Sequence, residues 1–196
     1  MLRVAVLLAA VALALPAAAS AGPTDWTQTR TLNITHQGGE NEAPSATMYA
    51  FERSMRLGAD MLEVDVNTTK DDKLAIIHDG EVDRTTNGTG PVAGYTMAEL
   101  EKLDAAHWFV PLEGATHEAS DNQYVFRGVR TGKRKPPLGY GPDDFRTLEL
   151  EELMTRYPDV PINIEIKGGV AEDAASYGHV AEVLAAFLKG YGRTEG

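Results

Sequence analysis

Residues 58–79 read GADMLEVDVNTTKDDKLAIIHD, and the fold turns on this stretch. Met61–Val66 (MLEVDV) is a strand: Met61, Leu62, Val64 and Val66 make it too apolar for an exposed one. Glu63 and Asp65 sit two residues apart within it. Side chains at i and i+2 share a face, so the two carboxylates point the same way. Asp71-Asp72 reads as a turn, and Leu74–His78 (LAIIH) as the next strand, ending at His78-Asp79.

Upstream, Leu32–His36 (LNITH) is a short strand ending in a histidine. Ser45–Leu57 is an amphipathic helix carrying Met48, Phe51, Met55 and Leu57, and Gly58 stops it. Downstream, Thr96 and Glu99 form a capping box for a helix running to about Leu103. Residues 105–146 lack a clean period and are broken by Gly and Pro. An excursion of that length is expected to be functional or mobile: a lid, a small inserted subdomain or a loose loop. The chain then resumes as a helix over Thr147–Tyr157, a strand over Ile162–Lys167 (INIEIK) and an Ala-rich helix over Ala171–Tyr191.

Strand–helix alternation predicts an α/β fold with a parallel sheet or barrel. A closed eight-stranded barrel takes about 250 residues. Four strands in 196 residues therefore predict the first half of a (β/α)8-type barrel, ending after about four β/α units.

The composition is that of a globular chain, 43% hydrophobic and 24% charged. It holds no cysteine, which excludes disulfides, cysteine-ligated metals and a thiol nucleophile. The net charge of −11 excludes a basic nucleic-acid footprint. Residues 1–21 carry Arg3, an apolar Ala/Leu/Val run and Ala19-Ser20-Ala21, the pattern of a cleavable export leader. The expected layout is a leader over 1–21, a linker over 22–30 and one domain over 31–196, incomplete at its C-terminal end. The mature protein is expected outside the cytoplasm, without a stable membrane anchor.

Four strands thus carry polar groups that packing alone would not select: His36, Glu63 with Asp65, His78, and Glu165 with Lys167. A parallel barrel gathers such groups at its C-terminal mouth. Three carboxylates brought together there repel one another, and a hard cation such as Ca²⁺ or Mg²⁺ relieves the repulsion. Two histidines suit proton transfer near neutral pH, and a lysine suits a developing anion. Together these groups fit metal-assisted attack on a phosphate ester.

The segments His36-Gln37-Gly38-Gly39, ATMYAFERSMRLGADMLEVDVNTTKDDKLAIIHD and VDRTTNGTG, with the helix start at Tyr95–Leu100, the stretch Asp104–Phe109 and INIEIK, occur in one order. In that order they resemble the glycerophosphodiester phosphodiesterase family over about residues 32–190. The resemblance implies a TIM-barrel enzyme that cleaves small phosphodiesters such as glycerophosphocholine to sn-glycerol 3-phosphate and an alcohol. It implies His36 and His78 as the acid/base pair and Glu63, Asp65 and Glu165 as metal ligands, with Lys167 and Gln37 on the phosphate side. The chain departs from the family where Gln37 replaces an arginine, removing a bidentate positive fork. It departs again where Pro44-Ser45-Ala46-Thr47 replaces Pro-Glu-Asn-Thr, with Glu40, Asn41 and Glu42 just upstream to substitute. Two other readings stay open: a phospholipase D-like enzyme acting on lysolipids or sphingolipids, and a non-catalytic barrel.

Overall fold

Strand β2 (Met61–Thr68) is the axis on which the other elements are assembled. The computed structural model describes residues 31–192; the expected leader and linker lie outside the described residues. On one edge β2 pairs in parallel with β1 (Ile34–Thr35), and further along the same strand it pairs with β3 (Leu74–Ile76). The short strand β4 (Phe109–Val110) forms a separate hairpin with β5 (Gly114–Ala115). The two-residue β6 (Leu148–Glu149) extends the main sheet beyond β3, and β7 (Ile162–Ile166) pairs in parallel with β2.

Two expectations are corrected here. Leu74–Ile76 runs antiparallel to β2, so three of the four expected strands, not all four, run parallel. The cause is local. Thr69 N–H donates to Lys73 C=O and Asp72 adopts φ 54°, a tight turn, whereas a parallel partner needs a crossover of a dozen or more residues. The helix expected from Thr147 opens with β6 instead. Leu148 and Glu149 pair with Ile76 and Ala75, and the helix α3 (Leu150–Arg156) begins only after them.

Helix α1 (Met48–Arg56) starts at Thr47, whose Oγ1 accepts from the Ala50 N–H. Helix α2 (Met97–Leu100) carries the expected Thr96–Glu99 box. Helix α4 (Ala174–Tyr191) is capped by Asp173 and starts three residues later than expected. Helices α1, α3 and α4 pack on one side of the main sheet, against Leu74 and Ile76 of β3 among others, whereas α2 packs with Ala75 and Ile77, which point the other way. The main core joins Phe51 of α1, Leu62, Val64 and Val66 of β2, Leu150 and Leu153 of α3, and Val180 and Leu184 of α4. Among the described residues no helix is long and apolar enough to cross a membrane.

Residues 105–146 are ordered by aromatic packing rather than by long elements. Tyr49 of α1 meets Phe126, Tyr140 and Phe145 with ring centroids 4.7–5.1 Å apart, and Phe145 is fully buried. Nearby, Trp108 stacks on His117 at 4.1 Å, and the Arg127 guanidinium lies over Trp108. The excursion is therefore a folded layer on α1. Its short, irregular pieces explain why no period is visible in its sequence.

Candidate active site

Every residue of β2 from Leu62 to Val66 is buried, which decides the character of the site. Leu62, Val64 and Val66 face the helices; Glu63, Asp65 and Asn67 occupy the other face. Burying the three apolar side chains contributes about 1.5–3 kcal/mol each. That offsets the several kcal/mol that each buried ion costs. The strand can thus hold acidic groups out of water.

Register brings in the third carboxylate. Asp65 lies directly beside Glu165 of β7, and Glu63 beside Asn163. Oxygens of Glu63, Asp65 and Glu165 come within 4.8 Å of one another. Glu63 is 6% exposed and Asp65 2%, whereas the Glu165 side chain opens to solvent. Glu63 Oε2 accepts the Gln37 N–H at 2.9 Å, while Glu63 Oε1 and both Asp65 oxygens are buried without a hydrogen-bond donor. Buried carboxylate oxygens are rarely left so, and a hard cation prefers this donor set. The residues fit a Ca²⁺- or Mg²⁺-type site.

Lys167 closes the cluster from the side. Its Nζ contacts Glu165 Oε1 and lies 3.0 Å from Asp65 Oδ1, an ion pair off the direction a hydrogen bond needs. Burial pulls the Lys167 pKa down, but contact with Glu165 and Asp65 outweighs it, so the ammonium is held charged above its ordinary range. The Lys167 hydrogen bond holds the Glu165 carboxyl below its usual range. Burial pushes Glu63 up, against the Gln37 hydrogen bond.

The two histidines flank this cluster, each near enough to favour the ionised Glu165 carboxylate when its ring is protonated. His36 opens a turn at the end of β1; its ring is 59% exposed, and its Nδ1 is 3.1 Å from Glu40 Oε1. Gln37, Gly38 and Gly39 all take positive φ, which bends the chain so that the Gln37 N–H reaches Glu63. A Cβ on Gly38 would meet Ala50 Cβ at 2.8 Å. Gln37, expected on the phosphate side, is 3% exposed and touches the cluster through its main chain. Of the upstream acids, Glu40 reaches His36, whereas Glu42 pairs with Arg53.

His78 follows β3. Its Nδ1 is 2.6 Å from Asp79 Oδ1, and Arg84 grips both Asp79 oxygens. Burial pushes the Asp79 pKa up, but hydrogen bonds from Arg84 and His78 win and hold it low, so Asp79 stays a carboxylate. That fixes the His78 ring through Nδ1 and leaves Nε2 for chemistry. Beside it a cleft of about 490 Å³ is lined by Asp79, Glu81, Arg84, His117, Gly169 and Glu172 among others. His107, His117 and His179 lie apart from the carboxylate cluster, in contact with Asp104, Trp108 and Asp72 respectively.

Sequence reading picked out His36, Glu63, Asp65, His78, Glu165 and Lys167, and the structure brings the three carboxylates and Lys167 together with the histidines beside them. It passed over Arg84 and Asn67. Asn67 continues the Glu63, Asp65 series by two more residues, a signal that was present.

The sequence profile of the Glycerophosphoryl diester phosphodiesterase family matches residues 36–193. A glycerophosphodiester phosphodiesterase of Caldanaerobacter subterraneus subsp. tengcongensis is 37% identical over 162 residues, 83% of this chain and 54% of that protein. One from Bacillus altitudinis is 48% identical over 135 residues, 69% of this chain and 44% of that protein. Among solved structures, glycerophosphodiester phosphodiesterase from Agrobacterium tumefaciens str. C58 superposes with a TM-score of 0.52 at 29% identity, over 78% of this chain and 54% of that one. The chain spans about half the length of the curated relatives it matches. On the matched profile, the chain belongs to the glycerophosphoryl diester phosphodiesterase family.

Proposed function

We propose that this chain carries the site of a metal-dependent hydrolase that cleaves glycerophosphodiesters such as glycerophosphocholine to sn-glycerol 3-phosphate and an alcohol, on a (β/α)8-type scaffold. The observation that carries this reading is the buried set of Glu63 and Asp65 oxygens beside Glu165, three of them without a hydrogen-bond donor, with an anchored histidine on its flank. A Ca²⁺ or Mg²⁺ ion held by Glu63, Asp65 and Glu165 supplies Lewis-acid stabilisation of phosphoryl charge when bound. The Lys167 ammonium adds positive charge on the same side, where Gln37 has none to give.

One of His36 and His78 takes the proton from the substrate's glycerol hydroxyl as its oxygen bonds to phosphorus. The other gives a proton to the departing alcohol oxygen as the P–O bond breaks. Water then opens the cyclic phosphate with the same two groups in reversed roles. Asp79, held ionised by Arg84, steadies the His78 ring through this cycle. The leader pattern at residues 1–21 supports action outside the cytoplasm, which N-terminal sequencing of exported protein checks.

The test is glycerol 3-phosphate release from glycerophosphocholine by the full chain, with Ca²⁺, with Mg²⁺ and with chelator. Cation-dependent release is expected, and His36→Ala or His78→Ala should each lower kcat by about 10²–10⁴-fold. Folded histidine variants with full activity, or turnover unaffected by chelator, would overturn the reading. A rat lysophospholipase D, GDPD1, is 31% identical over 140 residues, so lysophosphatidylcholine belongs in the same assay. Release of choline from it would identify the lysolipid activity. Cation binding without turnover of either compound would identify a non-catalytic protein.

A further inference from the structure

Asn67 is 1% exposed, and its side-chain amide joins two segments that meet nowhere else through a polar side chain among the described residues. Its Nδ2 donates to Ile77 C=O at 2.9 Å and to Asp79 C=O at 3.1 Å, with His78 C=O at 3.4 Å. Its Oδ1 accepts the Gly169 N–H at 3.0 Å. The first segment carries His78 and Asp79; the second follows Lys167 at the end of β7. Both donors and the acceptor are spent on main chain, so the fit has a direction: reversing the amide would set donor against N–H and acceptor against carbonyls.

The backbones confirm how tightly the segments are drawn together. A Cβ on Gly80 would fall 2.2 Å from Gly169 C, a separation no side chain permits. Only a glycine lets residues 79–80 lie against residue 169. The Lys167 N–H donates to Val66 C=O at 3.0 Å, beside Asn67, and completes the seam. Asn67 makes no contact with the carboxylate cluster by any hydrogen bond described, although it lies on the same strand face as Glu63 and Asp65.

We infer that Asn67 is a positioning residue: its amide clamps the His78–Asp79 segment to the segment after Lys167 and so sets where the His78 imidazole stands relative to the Lys167 side of the site. The kinetic part of this inference rests on the function proposed for His78; the geometric part does not. An aspartate at position 67 would keep the acceptor for Gly169 N–H and lose both donors to the His78 segment, while preserving size. A leucine would lose all of them.

The experiment compares Asn67→Asp, Asn67→Leu and Gly80→Ala with the unaltered full chain. The His78 ring signals are followed by ¹H–¹⁵N NMR and identified by their loss in His78→Gln. Asn67→Asp is expected to displace the His78 signals and to lower kcat by tenfold or more, with KM within about twofold. The thermal shift produced by Ca²⁺ or Mg²⁺ is expected to persist. Gly80→Ala, which parts the same segments with Asn67 intact, should displace the same signals. A folded Asn67→Asp or Asn67→Leu variant with unmoved His78 signals and unchanged kcat would overturn the inference. So would a fall in stability and in cation response alone, without His78 displacement. Should the unaltered chain show no hydrolysis, the proposed function fails, and displaced His78 signals would still establish the clamp.

Discussion

Glu63 shows most plainly how one residue serves two demands. Its Oε1 is buried without a donor, and burial pushes its pKa up. The carboxylate is therefore a local cost to the bare protein. Glu63→Gln removes that charge and offers an N–H to the Asp65 oxygens. With chelator present the variant should melt at or above the unaltered chain. With excess Ca²⁺ or Mg²⁺ the order should reverse, because the unaltered chain gains stability and the variant does not. Differential scanning calorimetry in both conditions checks the reversal. Arg84 acts at one remove: Arg84→Leu leaves the half-buried Asp79 carboxylate with His78 as its remaining side-chain partner among the described residues. That variant should lose about tenfold or more in kcat with KM little changed, by steady-state kinetics on glycerophosphocholine. Glu63 and Asp65 were legible in the sequence because a two-residue spacing in an apolar strand fixes a shared face. Arg84 was not, since its partner is set by how the chain curls after β3, which no spacing encodes.

At the scale of elements, the turn between β1 and α1 is the most exacting piece. Gln37, Gly38 and Gly39 hold positive φ in succession, and Gly38 lies against Ala50 of α1. Gly38→Ala pays for both the left-handed backbone and the clash, about 2–4 kcal/mol together, which urea unfolding would read. Because this turn also delivers the Gln37 N–H to Glu63, the variant should weaken cation binding along with stability. The strands β1, β2 and β7 and the helices α1, α3 and α4 were recognisable from apolar pattern and caps. Alternation of strand and helix predicts a parallel β3, but the length of the connection decides its direction: Asp71-Asp72 is far too short for a crossover. The order in residues 105–146 was hidden for a different reason. Its strands are two residues long, and its stability comes from Tyr49, Phe126, Tyr140 and Phe145, which meet only in three dimensions.

At the scale of the whole molecule, β2 carries an apolar face toward the main core and an acidic face toward the site, and it belongs fully to both. A ligand that binds the folded site alone stabilises the entire chain. At a cation concentration one hundred times its Kd the gain is about 2.7 kcal/mol, a rise of several degrees in Tm. Titration of Tm against Ca²⁺ and Mg²⁺ gives the affinity order without any substrate. A flat titration would remove the carboxylate cluster from consideration as a cation site. The stack of Trp108 on His117 has a practical consequence. His117 lines the cleft beside Asp79 and Arg84, so the indole sits one ring away from that space. Trp26 is the one other indole in the sequence, so the difference in ultraviolet emission between the unaltered chain and Trp108→Phe isolates Trp108, and that difference is expected to change as the cleft fills. A change on adding glycerophosphocholine would make Trp108 an intrinsic gauge of occupancy, readable in a stopped-flow instrument with no dye attached.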